Sequence, residues 1–217
     1  MTERKYQVGV IGAGPAGVAA AIQLQRTKIK TAIFEKEEIG GLARNANQIE
    51  NYLGFPEGIT GRKFVERMKQ QVEKWELPII REEVTNIDWK EKEEEFQIKT
   101  IAEEKYFCQY LLLATGTEPK KITVPGEEEL VQEQLLFYEP IKLLEKGGPI
   151  KEKKIAIIGG GDAAFDYALN LEKKGGKITI YHRKEEFRCL PVLLERVKKR
   201  GREKITIQTK KEVKQLT

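Results

Sequence analysis

Two hydrophobic rhythms take turns along this chain. Short apolar runs rich in Val and Ile alternate with longer stretches in which apolar residues recur every three or four positions. Residues 6–11 (YQVGVI) run straight into Gly12-Ala13-Gly14-Pro15-Ala16-Gly17. From Pro15 to Gln25, Val18, Ala21, Ile22 and Gln25 share one helical face, and residues 31–34 form a second short strand that ends at Glu35. Glycine and proline signals then mark loops at Gly40-Gly41 and around residues 51–58, and Thr60 caps a helix that reaches about Trp75. Residues 79–87, 96–101 and 106–108 read as strands separated by charged turns, and residues 111–114 as a buried strand ending at Thr115-Gly116. Residues 117–126, with Pro119 and Pro125, read as a linker. The opening pattern then returns. Residues 154–158 (KIAII) enter Gly159-Gly160-Gly161-Asp162-Ala163-Ala164, a helix runs to about Lys174, and residues 177–181 form the next strand.

Strand, glycine turn, helix, strand and acidic residue, in that order, define a dinucleotide-binding βαβ unit. Gly12 permits the tight turn off the strand, Gly14 leaves room for a pyrophosphate, and Gly17 lets the helix pack closely. The helix N-terminus then offers free N–H groups and a partial positive charge to the phosphates. Glu35 falls where a carboxylate accepts hydrogen bonds from a ribose diol, with Lys36 beside it. The second loop begins 147 residues after Gly12, so it is a second binding unit rather than a solenoid repeat. Ala164 takes the third glycine position. The second strand of this unit leads not to an acid but to His182-Arg183-Lys184, with Arg188 close behind. Cations there suit a ribose 2′-phosphate, which a carboxylate would repel.

Composition narrows the class. The chain has 217 residues, 40% hydrophobic and 34% charged, with a net charge of +5. That is enough for one large domain or two small ones and too apolar for global disorder. No apolar run approaches the roughly 20 residues that span a bilayer, and residues 1–7 are too polar for a signal peptide, so a cytoplasmic protein away from membranes is expected. The positive charge is dispersed among acidic clusters such as residues 93–95 and 127–129, which argues against nucleic acid as a partner. Two cysteines, Cys108 and Cys189, lie far apart, and there is one histidine, so neither a disulfide scaffold nor a metal site is expected. Cys108 reads as a small core residue, and no Cys-x-x-Cys occurs.

The first glycine loop, the stretch ENYLGFPEGITG (residues 50–61), the strand LLLATG (111–116), the loop GGGDAA and the run HRKEEFR together resemble the low-molecular-weight thioredoxin reductase family of flavoproteins. The resemblance covers essentially the whole chain. It implies an α/β fold of two Rossmann-like dinucleotide-binding domains, three-layered, with mostly parallel sheets and an inserted antiparallel meander. The boundaries expected are 1–118 for an FAD-binding domain and 119–217 for an NAD(P)-binding domain. It further implies that Gly12, Gly14, Gly17 and Glu35, with Pro15, Ala16 and Lys36, serve FAD. Gly41 and Asn51 would lie near the flavin, and Thr115 and Gly116 would close the strand edge. NADPH would fall to Gly159, Gly161, Asp162, Ala163, Ala164, His182, Arg183, Lys184 and Arg188.

Two departures qualify the resemblance. Family reductases carry Cys-x-x-Cys shortly before the second glycine loop, whereas residues 135–141 here read LLFYEPI, without sulfur. Dithiol exchange needs an attacking thiolate and a resolving partner. Family members also continue further, returning to the first domain with another Gly-Asp motif, so both domains are expected to be incomplete here. The expectation is an FAD-dependent NAD(P)H oxidoreductase passing hydride from NADPH to flavin and on to a non-dithiol acceptor such as ferredoxin or flavodoxin. No side chain is nominated as catalytic, since the cofactors carry the chemistry. The acceptor would be a small redox protein or a small molecule, and the assembly a homodimer. The alternatives are a non-catalytic nucleotide-binding or regulatory subunit completed by another chain, and a thioredoxin-disulfide reductase using a partner's thiols.

Overall fold

The structure, a computed structural model, describes residues 4–146, 148–201 and 203–217. The first three positions of the polar N-terminal stretch lie outside the described residues. The chain divides into two compact units, Met1–Arg44 with Gly61–Glu118, and Asn45–Thr60 with Pro119–Thr217.

In the first unit, β1 (Arg4–Ile11), α1 (Pro15–Arg26), β2 (Thr31–Phe34), α2 (Gly61–Lys74), β3 (Ile79–Ile80), β4 (Val84–Lys90), β5 (Glu95–Thr100) and β6 (Lys105–Leu113) occur in order. They build one six-stranded sheet in the order β3-β2-β1-β6-β5-β4. The pairs β1–β2, β1–β6 and β2–β3 are parallel, while β4–β5 and β5–β6 are antiparallel, which is the mixed sheet with a meander that the sequence implied. Val8, Val10 and Ile11 are buried because β1 is flanked on both sides, and a strand so placed carries a continuous apolar run. Gly9 makes room for Ile98 and Cys108: a Cβ there would stand 2.8 Å from the Ile98 Cδ1 and 3.0 Å from the Cys108 Sγ. Cys108 is therefore a core residue, beside Phe34 and Tyr106, whose rings meet edge-on at 5.0 Å.

Residues 106–108 and 111–114 are not two strands. β6 is continuous, paired with β1 along its length and with β5 only over Lys105–Cys108. The expected burial of residues 111–114 is corrected accordingly: Leu111 and Leu112 are half-buried and Leu113 is 66% exposed. The reason is geometric. β5 has run out at Phe96, opposite Cys108, so the outer edge of β6 has no neighbour among the described residues from there on.

In the second unit, α3 (Glu127–Gln132), α4 (Pro140–Lys146), β7 (Lys154–Ile158), α5 (Asp162–Lys173), β8 (Lys177–Tyr181), α6 (Pro191–Lys199) and β9 (Ile205–Gln208) surround a parallel sheet ordered β7-β8-β9. Phe165, Ala168, Leu169 and Leu171 of α5 pack with Ile178, Ile180, Val197 and Ile205. α6 opens on Pro191, whose missing N–H costs nothing in a first turn. Residues 45–60 belong to this unit through side-chain chemistry rather than a sheet. Buried Asn45 donates from Nδ2 to the Glu139 carboxylate (2.6 Å), and its Oδ1 accepts from the Ile141 amide. The Asn47 amide donates to Asp166 (2.8 Å), Lys173 donates to the Asn47 Oδ1 (2.8 Å), and Arg196 forks onto Glu50 at 2.6 and 2.8 Å. Asp166 and Lys173 lie seven positions apart, on one stripe of α5.

Candidate functional site

Each unit carries one strand–glycine loop–helix junction, and the two are built alike. In the first, Gly12 has φ +105, and a Cβ there would collide with the backbone of Ala114 at the end of β6. The Gly12 amide donates to the Phe34 carbonyl and the Ala114 amide to the Ile11 carbonyl, so both neighbouring strands converge on the turn. A Cβ on Gly17 would run into the Gly12 carbonyl, which is why α1 can close onto β1 only with glycine there. Gly14 is different. It has φ −73 and ψ −179, an extended conformation open to any residue, and nothing lies within 4 Å of where its Cβ would stand. The start of α1 takes no side-chain cap, so its first amides point to the same free space.

Glu35 seats this loop from below. Its Oε2 accepts the Ala13 amide at 2.7 Å and its Oε1 the Glu37 amide at 2.8 Å. A carboxylate offers about four acceptor positions, so capacity for a ribose diol remains. Gly41 (φ +51) comes to the loop as well: its Cβ would stand 3.5 Å from the Gly14 Cα. Gly40 before it abuts Val65 of α2. Lys36 pairs with Glu118 at 2.5 Å, and that hydrogen bond raises its pKa. Thr115 and Gly116 are exposed just past the crossing with Gly12. Pro15 is the first helical residue and Ala16 is exposed. Asn51 is exposed in the 45–60 segment, which belongs to the second unit.

The second junction repeats the first. Gly159 (φ +153) faces Ala164, 3.2 Å from a would-be Cβ, so the small third-position residue does the work of Gly17. Gly161 matches Gly14: φ −102, ψ −178, no side-chain cap on α5, and nothing within 4 Å of a would-be Cβ. Gly160 has a role that its sequence position did not announce. The His182 imidazole lies against it, so a Cβ would strike the ring. A run of three glycines where two suffice was the available signal. The His182 Nε2 meets the Glu186 carbonyl at 3.1 Å, and its ring tilts against Phe187 at 5.3 Å. The Arg188 amide donates to the Gly160 carbonyl at 2.9 Å, and the Leu190 amide to Asp162 Oδ1 at 2.7 Å. Arg183, Lys184 and Arg188 are exposed on this run, and Ala163 is exposed in the first turn of α5.

Cys108 is buried in the first unit and Cys189 half-buried in the second, and burial pushes both thiols above their usual pKa. Residues 135–141 are held by other means: the Tyr138 hydroxyl donates to Glu127, and Glu139 receives Asn45. Burial and Glu127 push the Tyr138 phenol up to about 12. Among the described residues there is no cluster that could hold a metal and no helix long and apolar enough to cross a membrane.

Each glycine junction lies between parallel strands, the arrangement of a dinucleotide-binding βαβ unit, and the sequence profile of the pyridine nucleotide-disulphide oxidoreductases matches residues 6–217. The chain belongs to that family. It is 32% identical over 213 residues to the thioredoxin reductase of Mycolicibacterium smegmatis, covering 97% of this chain and 65% of that protein. With the thioredoxin reductase of Peptoclostridium acidaminophilum the identity is 31% over 196 residues, 89% of this chain and 59% of the relative. Among solved structures, the thioredoxin reductase of Lactococcus lactis matches with a TM-score of 0.82 at 29% identity, covering 98% of this chain and 67% of that one. The T. acidophilum thioredoxin reductase gives a TM-score of 0.83 at 28% identity, covering 99% and 67%. The chain thus spans 59–65% of the length of the curated relatives it matches.

Proposed function

We propose that the first glycine loop binds FAD and the second a pyridine nucleotide, NADPH in preference to NADH, and that the protein is an FAD-dependent NAD(P)H oxidoreductase. One observation carries the reading. Gly14 and Gly161 share a relaxed backbone, an uncapped helix start and empty space where a side chain would go. Neither glycine is needed by the fold, so what requires its bare backbone is a ligand outside the chain. A pyrophosphate on the helix N-terminus fits that requirement in both places.

The chain's own residues bind and orient. Gly12 and Gly17 set the first turn, Glu35 offers its remaining lone pairs to the ribose, and Gly41 closes beside Gly14. Gly159, Gly161 and Ala164 repeat this arrangement for the nucleotide, and Arg183, Lys184 and Arg188 supply charge-assisted hydrogen bonds to the 2′-phosphate. Bound FAD would supply hydride acceptance from NADPH and delivery of electrons singly or in pairs. The acceptor is a small redox protein or small molecule without a dithiol relay on this chain, ferredoxin or flavodoxin being the type. Free cysteines accord with a cytoplasmic setting, and a homodimer is the assembly proposed.

Similarity to thioredoxin reductases favours a second reading, reduction of a disulfide. The sulfur-free stretch at 135–141 and the burial of Cys108 weigh against it. The test is anaerobic mixing of the FAD-loaded protein with NADPH, then turnover with a disulfide or a one-electron dye. Bleaching of the flavin and dye turnover that survives Cys108→Ser/Cys189→Ser are expected. Disulfide turnover lost in that double variant would restore a reductase with unusual cysteines. Nucleotide binding without bleaching would point to the regulatory subunit.

A further inference from the structure

The basic run after β8 is not a free loop. Side-chain and backbone ties hold it. His182 packs its imidazole on the bare backbone of Gly160 and turns Nε2 to the Glu186 carbonyl. The Arg188 amide reaches the Gly160 carbonyl, Phe187 wedges between His182 and the fully buried Phe165, and Asp162 receives the Leu190 amide. The first three act at or inside the run. The last closes it at its far end, just before α6 begins.

Asp162 is an odd residue for its position. It opens α5, beside the helix amides and close to the basic run, where any anionic ligand would meet its negative charge as repulsion. A helix start does welcome an acid, but this carboxylate is turned toward Leu190 at 2.7 Å, across 28 positions of sequence. We propose that Asp162 is a positioning residue for cofactor choice. By holding the Leu190 amide it fixes the α6 end of the span that bears Arg183, Lys184 and Arg188, whose β8 end Lys210 and Lys211 hold, and so sets the preference for a 2′-phosphate without touching one. This rests on the assignment of the second loop to NADPH. His182 acts in the same sense from the other end, as a wedge on Gly160 rather than as a phosphate ligand.

The two functions of the carboxylate separate by substitution. Asp162→Ala removes both acceptor and charge. Asp162→Asn keeps an acceptor oxygen for Leu190 and removes only the charge. Calorimetric titration of the full chain with 2′,5′-ADP and with 5′-AMP reads the preference directly, free of any requirement for flavin. Asp162→Ala should cut the ratio of the two affinities by roughly tenfold, the factor that corresponds to about 1.4 kcal/mol, mainly by weakening 2′,5′-ADP. Asp162→Asn should keep the wild-type ratio and bind both ligands more tightly. Arg183→Ala run alongside tests the underlying assignment. If the wild type shows no preference and Arg183→Ala changes nothing, the NADPH reading fails and takes this inference with it. If Arg183→Ala lowers the ratio but Asp162→Ala weakens both ligands equally, the NADPH reading stands and the positioning role is refuted. Loss of the ratio in Asp162→Asn as well would also refute it, by making the charge rather than the hydrogen bond responsible.

Discussion

Alanine at Gly14 and alanine at Gly17 should have opposite consequences, although the two positions are three residues apart in one loop. At Gly17 the new Cβ would come closer than 3.0 Å to the Gly12 carbonyl, and the obstacle is backbone that cannot swing aside. Overpacking of this kind costs about 1–3 kcal/mol, and the clash with backbone puts it at the upper end. Replacing glycine inside α1 returns about 1 kcal/mol of helix propensity. The net is a loss of about 1–2 kcal/mol, or about 2–8 °C in Tm for a chain of this size. At Gly14 the backbone is already extended and the space empty. Alanine is a poorer cap than glycine by roughly 0.5–1 kcal/mol, and the stiffer unfolded chain offsets about 0.4–1 kcal/mol. The apoprotein should therefore melt within about 2 °C of wild type. FAD affinity, tracked by quenching of flavin fluorescence, should nonetheless fall at least about tenfold in Gly14→Ala, because the methyl group occupies the pyrophosphate's place. Gly14→Val should abolish flavin retention altogether. Wild-type affinity in Gly14→Ala would show that the empty space is not the cofactor's. A drop in Tm equal to that of Gly17→Ala would show that it was not empty.

Two further outcomes rest on other parts of the structure. NADPH should reduce the flavin about ten- to thousandfold more efficiently than NADH, since two or more charge-assisted hydrogen bonds of about 1.5–3 kcal/mol each are weakened by exposure. Stopped-flow rates with both nucleotides should show that advantage shrink in Arg183→Ala, and equal rates in both proteins would leave the basic run as ordinary surface. Burial raises the Asp166 pKa above its usual 3.8, outweighing the Asn47 amide and Lys173, which pull it down. The folded state then holds a proton that the unfolded state has released, so this group's contribution to stability is full below the unfolded pKa and is lost as pH rises through the folded one. The urea midpoint of Asp166→Asn should gain on wild type as pH climbs from about 3 to 7, and a difference that ignores pH would refute the assignment.

What the sequence disclosed, and what it hid, divides by the range of the interaction responsible. Gly17 and Gly159 owe their identity to neighbours five positions away and Gly12 to its left-handed turn as well as to distant Ala114, and the local share is enough for spacing to announce both junctions. The strands around them were legible for the same reason. β6 looks broken in the sequence because its continuity is enforced by β1, a hundred positions earlier, across the Gln109-Tyr110 interruption in its apolar run. α3, α4 and α6 are only six to nine residues long, too short to display a period. The ties of Asn45 to Glu139, Asn47 to Asp166 and Leu190 to Asp162 span 94, 119 and 28 positions, and no local pattern encodes them. Glu35 shows the limit most clearly. The sequence placed an acid at the end of β2 for the ribose, but could not show that the same carboxylate already gathers two amides of its own chain.

Residues 45–60 carry a practical consequence for dissecting the protein. The second unit is not a contiguous stretch of polypeptide, because the chain enters it at Asn45, leaves at Thr60 and re-enters at Pro119. A gene fragment begun at residue 119 would strip Glu139, Asp166 and Lys173 of the asparagine partners they hold here, and Arg196 of Glu50. Buried groups left in that condition each cost about 1–3 kcal/mol. A fragment of the first unit that kept residues 45–60 would carry an asparagine-rich insert with nothing to bind. Dissection would go better with the insert grafted back: residues 45–60 joined through a flexible glycine linker to residues 119–217, and Arg44 spliced directly to Gly61 in the other half.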